Sequence, residues 1–185
     1  PRLTPKQKVN VAAQMGQGLS YLHTKRKDDK RAIVHRDISA RNILLTGSIE
    51  NLVVKIADFG VARVMVNDSL VTTTISGSPP YMSPEQLMGS PLTVQCDIWG
   101  FGVLIYELMT ENIPWSTQTY KFPTIEQMVQ SVVHRKETLS IPTDKAIQYP
   151  PEVSMLARQC FLLKAEERPR IRTMTDQLIL CHGAM

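Results

Sequence analysis

The chain has 185 residues, of which 43% are hydrophobic and 21% charged, a balance typical of one soluble globular domain with a sizeable core. The longest apolar run, residues 98–109, is too short to span a membrane, and three cysteines without paired metal-ligand spacing argue against a disulfide framework and a zinc site. The net charge is +4, but the basic stretch Lys25–Arg31 contains two acids and no aromatics, so we expect a solvated loop and no nucleic-acid partner.

The sequence opens at Pro1 rather than at a methionine, so we expect a piece of a longer protein. Its cysteine usage favours a reducing, cytoplasmic setting.

The first predicted element is a helix that starts at Thr4-Pro5, with threonine as the N-cap and proline in the first turn. Val11, Met15 and Leu19 recur at helical spacing, which predicts one apolar stripe on a core. His23 is interpreted as a residue of the helix end and not as a metal ligand.

The stretch from Ile33 to Asn42 places polar residues between two apolar, β-prone runs. It is therefore predicted to be a loop held by short strands, a common location for catalytic groups. The carboxylate of Asp37 is suited to accept a proton from an attacking hydroxyl, and the amide oxygen of Asn42 is suited to bind Mg²⁺.

A hairpin is predicted next, from the strands at residues 43–45 and 52–56 around a turn at Thr46-Gly47-Ser48. Asp58-Phe59-Gly60 follows the second strand directly, where Asp58 would supply a negative metal ligand and Gly60 a permissive backbone.

These motifs together resemble the HRD…N and DFG signatures of the eukaryotic protein-kinase family. Ser83-Pro84-Glu85 stands in the place of the family's APE motif. His-Arg-Asp alone favours a charged turn in which Asp37 caps a backbone amide, but four ordered matches argue against a chance origin.

The resemblance implies ATP and Mg²⁺ as cofactors and a protein as substrate. It assigns catalytic roles to Arg36, Asp37 and Asn42, metal binding to Asn42 and Asp58, and structural roles to His35, Phe59 and Gly60. It also places Leu44 under the adenine ring, whereas a plain core leucine is the alternative.

Residues 63–80 are polar and show little periodicity, so they are predicted to form a mobile loop, and they resemble the activation segment. Arg36 and Arg63 are expected to face this segment, although Arg36 bonded to backbone carbonyls is an alternative. The hydroxyls that are candidates for phosphorylation or for contact with the substrate, together with the tyrosine of the adjoining peptide-binding loop, are Thr72, Thr73, Thr74, Ser76, Ser78 and Tyr81.

The helix that opens near Asp97 is apolar all round and should be buried on all sides. The resemblance implies that Asp97 holds the backbone of the catalytic loop; a simple N-cap is the alternative.

Three further helices are predicted to form a bundle. One is opened by the Thr124–Gln127 capping box, and the last covers residues 171–180. The one between them starts at Pro150-Pro151, and the residues expected near one face of it are Met155, Leu156, Gln159 and Cys160. Arg168 is expected, by resemblance, to pair with Glu85.

The fold expected from the resemblance is α+β and mainly helical: residues 1–185 would be the large, C-terminal lobe of a kinase, with short hairpins beside the catalytic loop. The chain contains no Gly-rich phosphate loop, no Val-Ala-Ile-Lys strand and no partner Glu helix. We therefore expect residues 1–185 alone to be inactive.

The subgroup signals are mixed. Ser39-Ala40-Arg41 resembles the tyrosine kinases, whereas residues 77–85 resemble the serine/threonine pattern. We expect a tyrosine-kinase-like group with Ser/Thr activity. A tyrosine kinase, a small-molecule phosphotransferase and a silent pseudokinase or scaffold module are the alternatives, although the last should lack Asp37, Asn42 or Asp58.

Overall fold

A computed structural model describes residues 2–24, 31–65, 69–71, 75–119, 121–142 and 149–185. Helix α1 (Pro5–His23) begins as predicted, because the Thr4 side chain accepts from the backbone N–H of Gln7 and the Gln7 side chain accepts from the Thr4 N–H. Val11, Met15 and Leu19 are buried along one stripe, which confirms the predicted apolar face.

Within these described ranges, four short strands form two antiparallel pairs. β1 (Ala32–Val34) pairs with β4 (Arg63–Met65), and β2 (Ile43–Thr46) pairs with β3 (Val53–Ile56). The second pair is the predicted hairpin, with both strand boundaries within one residue of expectation. The polar loop at residues 35–42 thus lies between β1 and β2.

The prediction of a mobile, structureless segment from Arg63 to Pro80 is wrong at both ends. Its start is β4, Leu70 bridges to Leu92, and Pro79–Tyr81 forms a single turn of 3-10 helix. A three-residue strand is too short to show an alternating pattern, and its partner lies far earlier in the chain, so no local signal marks it. Thr72, Thr73 and Thr74 lie outside the described residues.

Helix α2 (Pro84–Leu87) leads to α3 (Gln95–Thr110), which is the centre of the molecule. Every residue of α3 from Cys96 to Ile105 is buried. Phe101 packs in the largest apolar cluster, Trp99 in a second and Cys96 in a third. The prediction of a helix buried on all sides is confirmed for this stretch.

The remaining described helices are α4 (Ile125–Met128), which continues into a wider π-helical segment (Val129–His134), α5 (Pro151–Cys160) and α6 (Ile171–Gly183). The capping box of Thr124 and Gln127 is present. α6 packs against α1, where Gly16 makes room for Thr175: a Cβ at Gly16 would lie 2.5 Å from the Thr175 hydroxyl.

The predicted inner face of α5 is partly wrong. Leu156 and Cys160 are buried as predicted, but Met155 and Gln159 are exposed, and Val153 and Ala157 are buried in addition. The helix is short and amphipathic, and Met155 lies one position off the stripe that faces α3 and α6.

All three cysteines are buried free thiols. Burial raises the pKa of the Cys96 thiol, and the neighbouring Asp97 carboxylate adds to the effect. Among the described helices, none is both long enough and apolar enough to cross a membrane.

Candidate active site

Asp97 holds the start of the polar loop at residues 35–42 through hydrogen bonds to its backbone. Its Oδ2 accepts the N–H of His35 at 2.9 Å and its Oδ1 accepts that of Arg36 at 2.8 Å. The ring Nε2 of His23 lies 2.8 Å from the same Oδ2. Asp97 is 1% exposed, and these contacts stabilise its buried carboxylate. The N-cap of α3 is Val94, so the alternative interpretation of Asp97 as the N-cap is wrong.

Asp37 lies where two loops meet. Its Oδ1 accepts the N–H of Ser78 at 2.8 Å, and its Oδ2 accepts from Nδ2 of Asn42 at 3.0 Å. The same nitrogen donates to the backbone oxygen of Asp37 at 2.8 Å. The carboxylate is therefore fixed by its own loop and by the loop that precedes α2.

The β2–β3 hairpin brings Asp58 next to this loop. The N–H of Ala57 donates to the carbonyl of Asn42 at 2.8 Å, so the next residue, Asp58, lies beside Asn42. Asp58 is exposed and has a left-handed φ of 60°, and its Oδ1 accepts the N–H of Gly60 at 3.1 Å. Its other carboxylate oxygen is free of hydrogen bonds to the described residues.

His35, in the loop that carries Asp37, contacts Phe59, which follows Asp58. Their rings lie 5.0 Å apart between centroids, and Nε2 of His35 lies 3.1 Å from the carbonyl of Ala57. His35 is fully buried, whereas Phe59 is 48% exposed.

Arg36 is buried and has a left-handed φ of 71°. Its guanidinium donates to the carbonyl of Val61 at 3.1 Å and to the hydroxyl of Ser76 at 2.8 Å. It thus contacts both a backbone carbonyl and the segment expected to carry phosphate. Burial and the charge of Arg63 lower the pKa of Arg36, yet an arginine keeps its charge in proteins.

The loop at residues 77–83 is held by contacts between residues far apart in the sequence. Arg41 donates to the Ser78 hydroxyl at 2.9 Å, Tyr81 donates to Glu107 at 2.5 Å, and the Trp115 indole donates to the Pro80 carbonyl at 2.9 Å. Burial, followed by the Glu107 contact, raises the pKa of the Tyr81 phenol. The loop at residues 77–83 is therefore held by the loop at residues 35–42, by α3 and by the segment that follows α3.

Glu85 and Arg168 form a bidentate ion pair with N–O distances of 2.6 and 2.9 Å. The Arg168 side chain is 0% exposed and that of Glu85 12%. Arg168 also donates to the carbonyls of Leu162 and Gln95. The pair therefore joins α2 to the segment before α6.

Leu44 lies on β2 and is 49% exposed, so its alternative interpretation as a core leucine is wrong. Leu45 and Val53 of the same hairpin are 45% and 48% exposed. Leu44 and Val53 lie on one face of the hairpin and Leu45 on the other.

Two polar residues of this region were not predicted to take part in the site. His23 was expected only to end a helix, and Gln86 was not expected to have a role. Gln86 follows Ser83 by three positions, which is the capping-box spacing. Its further contact, from Nε2 to the carbonyl of Arg36 at 2.9 Å, has no sequence signal because the two residues are 50 positions apart.

Comparison with known proteins places this arrangement in context. Residues 2–179 match the family described as protein kinase domain. A mitogen-activated protein kinase kinase kinase 7-like protein of Drosophila melanogaster is 32% identical over 169 residues, which cover 91% of this chain and 40% of the relative.

Two relatives from Arabidopsis thaliana carry different specificities in their names. The serine/threonine-protein kinase CTR1 is 29% identical over 96% of this chain and 20% of its own length. The receptor protein-tyrosine kinase CEPR1 is 32% identical over 91% of this chain and 17% of its own length. The chain therefore spans 17% to 40% of the length of these three relatives.

Proposed function

Because this chain belongs to the protein kinase family, we propose that the full-length protein containing it transfers the γ-phosphoryl group of ATP to a hydroxyl of a protein substrate. The observation that carries the proposal is the Asp37 carboxylate, which is fixed by hydrogen bonds from Asn42 and from the Ser78 N–H. Asp37 accepts the hydroxyl proton, the substrate oxygen forms a bond to the γ-phosphorus, and the bond to the leaving ADP oxygen breaks.

Mg²⁺ and ATP fit the residues next to Asp37. The amide nitrogen of Asn42 is occupied by Asp37, so its amide oxygen is the atom left for a cation. Asp58 offers an exposed carboxylate, and hard oxygen ligands are those that Mg²⁺ prefers. Bound Mg²⁺ would neutralise charge on the phosphates. Exposed Leu44 supplies an apolar surface for the adenine ring of ATP.

The acceptor hydroxyl is proposed to be that of serine or threonine. Support comes from Ser78, which donates its N–H to Asp37 and accepts from Arg41. Arg41, part of the motif that resembles tyrosine kinases, thus contacts Ser78, part of the motif that resembles serine/threonine kinases. Tyrosine specificity therefore remains a second candidate. Phosphoamino-acid analysis of the products separates them, and phosphotyrosine alone would select the second.

We also propose that residues 1–185 are the large lobe and that the phosphate-gripping lobe is supplied by other residues of the full-length protein. The exposed apolar residues on β2 and β3 support this proposal, because the described part of the chain leaves them uncovered. A pseudokinase is disfavoured by the presence and mutual placement of Asp37, Asn42 and Asp58.

The decisive experiment replaces Asp37 by asparagine in the full-length protein. Loss of the general base should lower kcat on the order of 10²-fold or more. Asp176→Asn makes the same chemical change on the exposed face of α6 and should leave kcat unaltered. Turnover of Asp37→Asn equal to wild type would remove Asp37 from the reaction.

A further inference from the structure

The peptide unit that joins Arg36 to Asp37 orients the proposed base. Arg36 is not glycine, yet its φ is 71°, and such a strained conformation persists only where surrounding contacts enforce it. Asp97 holds the N–H of Arg36. The carbonyl of Arg36 must be held separately.

Gln86 supplies that second contact. Its Nε2 donates to the Arg36 carbonyl at 2.9 Å, and the side chain is buried with 6% exposure. Gly77 packs closely against the same carbonyl, since a Cβ at Gly77 would lie 2.8 Å from the Arg36 oxygen. The carbonyl therefore has a hydrogen-bond donor and a close backbone neighbour.

The orientation of the Gln86 amide is set by its neighbours. Its Oε1 accepts the N–H of Ser83 at 3.2 Å and lies 3.3 Å from the Ser83 hydroxyl. Because an N–H can only donate, the oxygen must face Ser83 and the NH₂ must face Arg36. One amide thus completes the cap of α2 and binds the catalytic loop.

The support for Gln86 extends into the helical core. The preceding residue, Glu85, forms the ion pair with buried Arg168. The backbone of α2 at Gln86 is therefore held in place, and the Gln86 side chain can fix the loop that contains Arg36.

We infer that Gln86 is a positioning residue, which fixes the Arg36–Asp37 peptide and thereby aims the Asp37 carboxylate. The inference rests on the proposed phosphoryl transfer. Without the Gln86 donor, the buried carbonyl has lost its hydrogen bond and the peptide can rotate. Asp37 then moves relative to the Ser78 N–H and the Asn42 amide, while Asn42 and Asp58 keep their places on the hairpin.

The test compares three variants of the full-length protein. Gln86→Glu keeps the acceptor for Ser83, since glutamate also suits this capping-box position, but places an oxygen where the donor was. Gln86→Met removes all hydrogen bonding at similar volume. Gln127→Glu makes the first change in the capping box of α4, where the exposed Gln127 amide oxygen likewise accepts the N–H of its N-cap, Thr124.

Both Gln86 variants should lower kcat on the order of tenfold or more, because small misplacement of a reacting group is costly. The Kd for Mg-ATP and the KM for a peptide substrate should stay within about twofold, and Gln127→Glu should match wild type. Unaltered kcat in the two Gln86 variants would overturn the inference. Parallel loss of kcat and of Mg-ATP affinity would also overturn it, because that pattern indicates a merely structural residue.

Asp37→Asn, assayed alongside, keeps the two levels apart. If it is inactive while Gln86→Glu and Gln86→Met turn over normally, only the inference about Gln86 fails. If Asp37→Asn is fully active, the proposed function itself fails.

Discussion

At the scale of single residues, side chains hold the loop at residues 35–42 through hydrogen bonds to its backbone atoms. Asp97 accepts the N–H groups of His35 and Arg36, and Asn42 donates to the carbonyl of Asp37. The motif predicted that Asp37 and Asn42 share one loop, but it did not predict the contact between them. The contact of His23 with Asp97 could not, since 74 positions separate the two residues and a histidine in the last turn of a helix commonly interacts with the helix dipole alone.

Arg36 and Ser76 define a prediction about control. Arg36 already donates to the unmodified Ser76 hydroxyl, and a phosphate nearby would add nearly two negative charges and three acceptor oxygens, which a guanidinium binds more strongly. Replacing Thr72, Thr73, Thr74 and Ser76 together by alanine should lower the activity of the full-length protein on the order of tenfold, and phosphatase should lower wild-type activity by a similar factor. Steady-state kinase assays before and after phosphatase treatment check both.

The opposite outcome is equally clear. If the quadruple variant is as active as phosphorylated wild type, and phosphatase affects neither protein, modification of this segment is not the switch.

At the scale of elements, local signals were reliable where capping and periodicity act within a few residues. The start of α1, the β2–β3 hairpin and the burial of α3 were all predicted. β4 was missed because its three residues gain their conformation from pairing with β1, and such tertiary pairing overrides local propensity. The buried face of α5 was misjudged at Met155 because a ten-residue helix offers only two or three points to define a stripe.

The connection between α2 and the segment before α6 gives the second prediction. Arg168→Ala leaves the largely buried Glu85 carboxylate uncompensated and removes three further hydrogen bonds to carbonyls. The loss should be about 3–5 kcal/mol of unfolding free energy, as for other broken buried pairs. Urea unfolding of this chain measures it.

Lys164→Ala provides the matched control, because the Lys164–Glu167 pair is exposed. The exposed fraction is 70% for the Lys164 side chain and 49% for the Glu167 side chain. An exposed pair contributes roughly 0–1 kcal/mol. Equal stability of Arg168→Ala and Lys164→Ala would contradict a structural role for the buried pair.

At the scale of the whole molecule, several apolar side chains of the β2–β3 hairpin and of the segment that follows it remain uncovered. Leu44, Leu45, Val53 and Phe59 are each between 45% and 49% exposed. Surface of this kind commonly marks a place where another body packs or a ligand binds. This is the feature expected if nucleotide binding requires a second lobe.

Isolated residues 1–185 should therefore bind Mg-ATP only weakly, without a micromolar Kd. The reason is that the proposal gives phosphate binding to other residues of the full-length protein. Titration calorimetry of this chain measures the affinity, and the full-length protein is the positive control. Micromolar binding by the isolated chain would show that these residues suffice for the nucleotide.

The packing of α1 against α6 has a consequence for how the protein is made. The two helices lie near opposite ends of the sequence, yet Gly16 and Thr175 are in close contact. On the ribosome, α1 emerges before α6, so the part of α1 that packs on α6 lacks this partner until α6 has been synthesised. Sequence-distant contacts of this kind slow folding, and the exposed stripe is open to chaperones and to aggregation in the interval. Completion of the domain is therefore expected to be a late, nearly all-or-none event in translation.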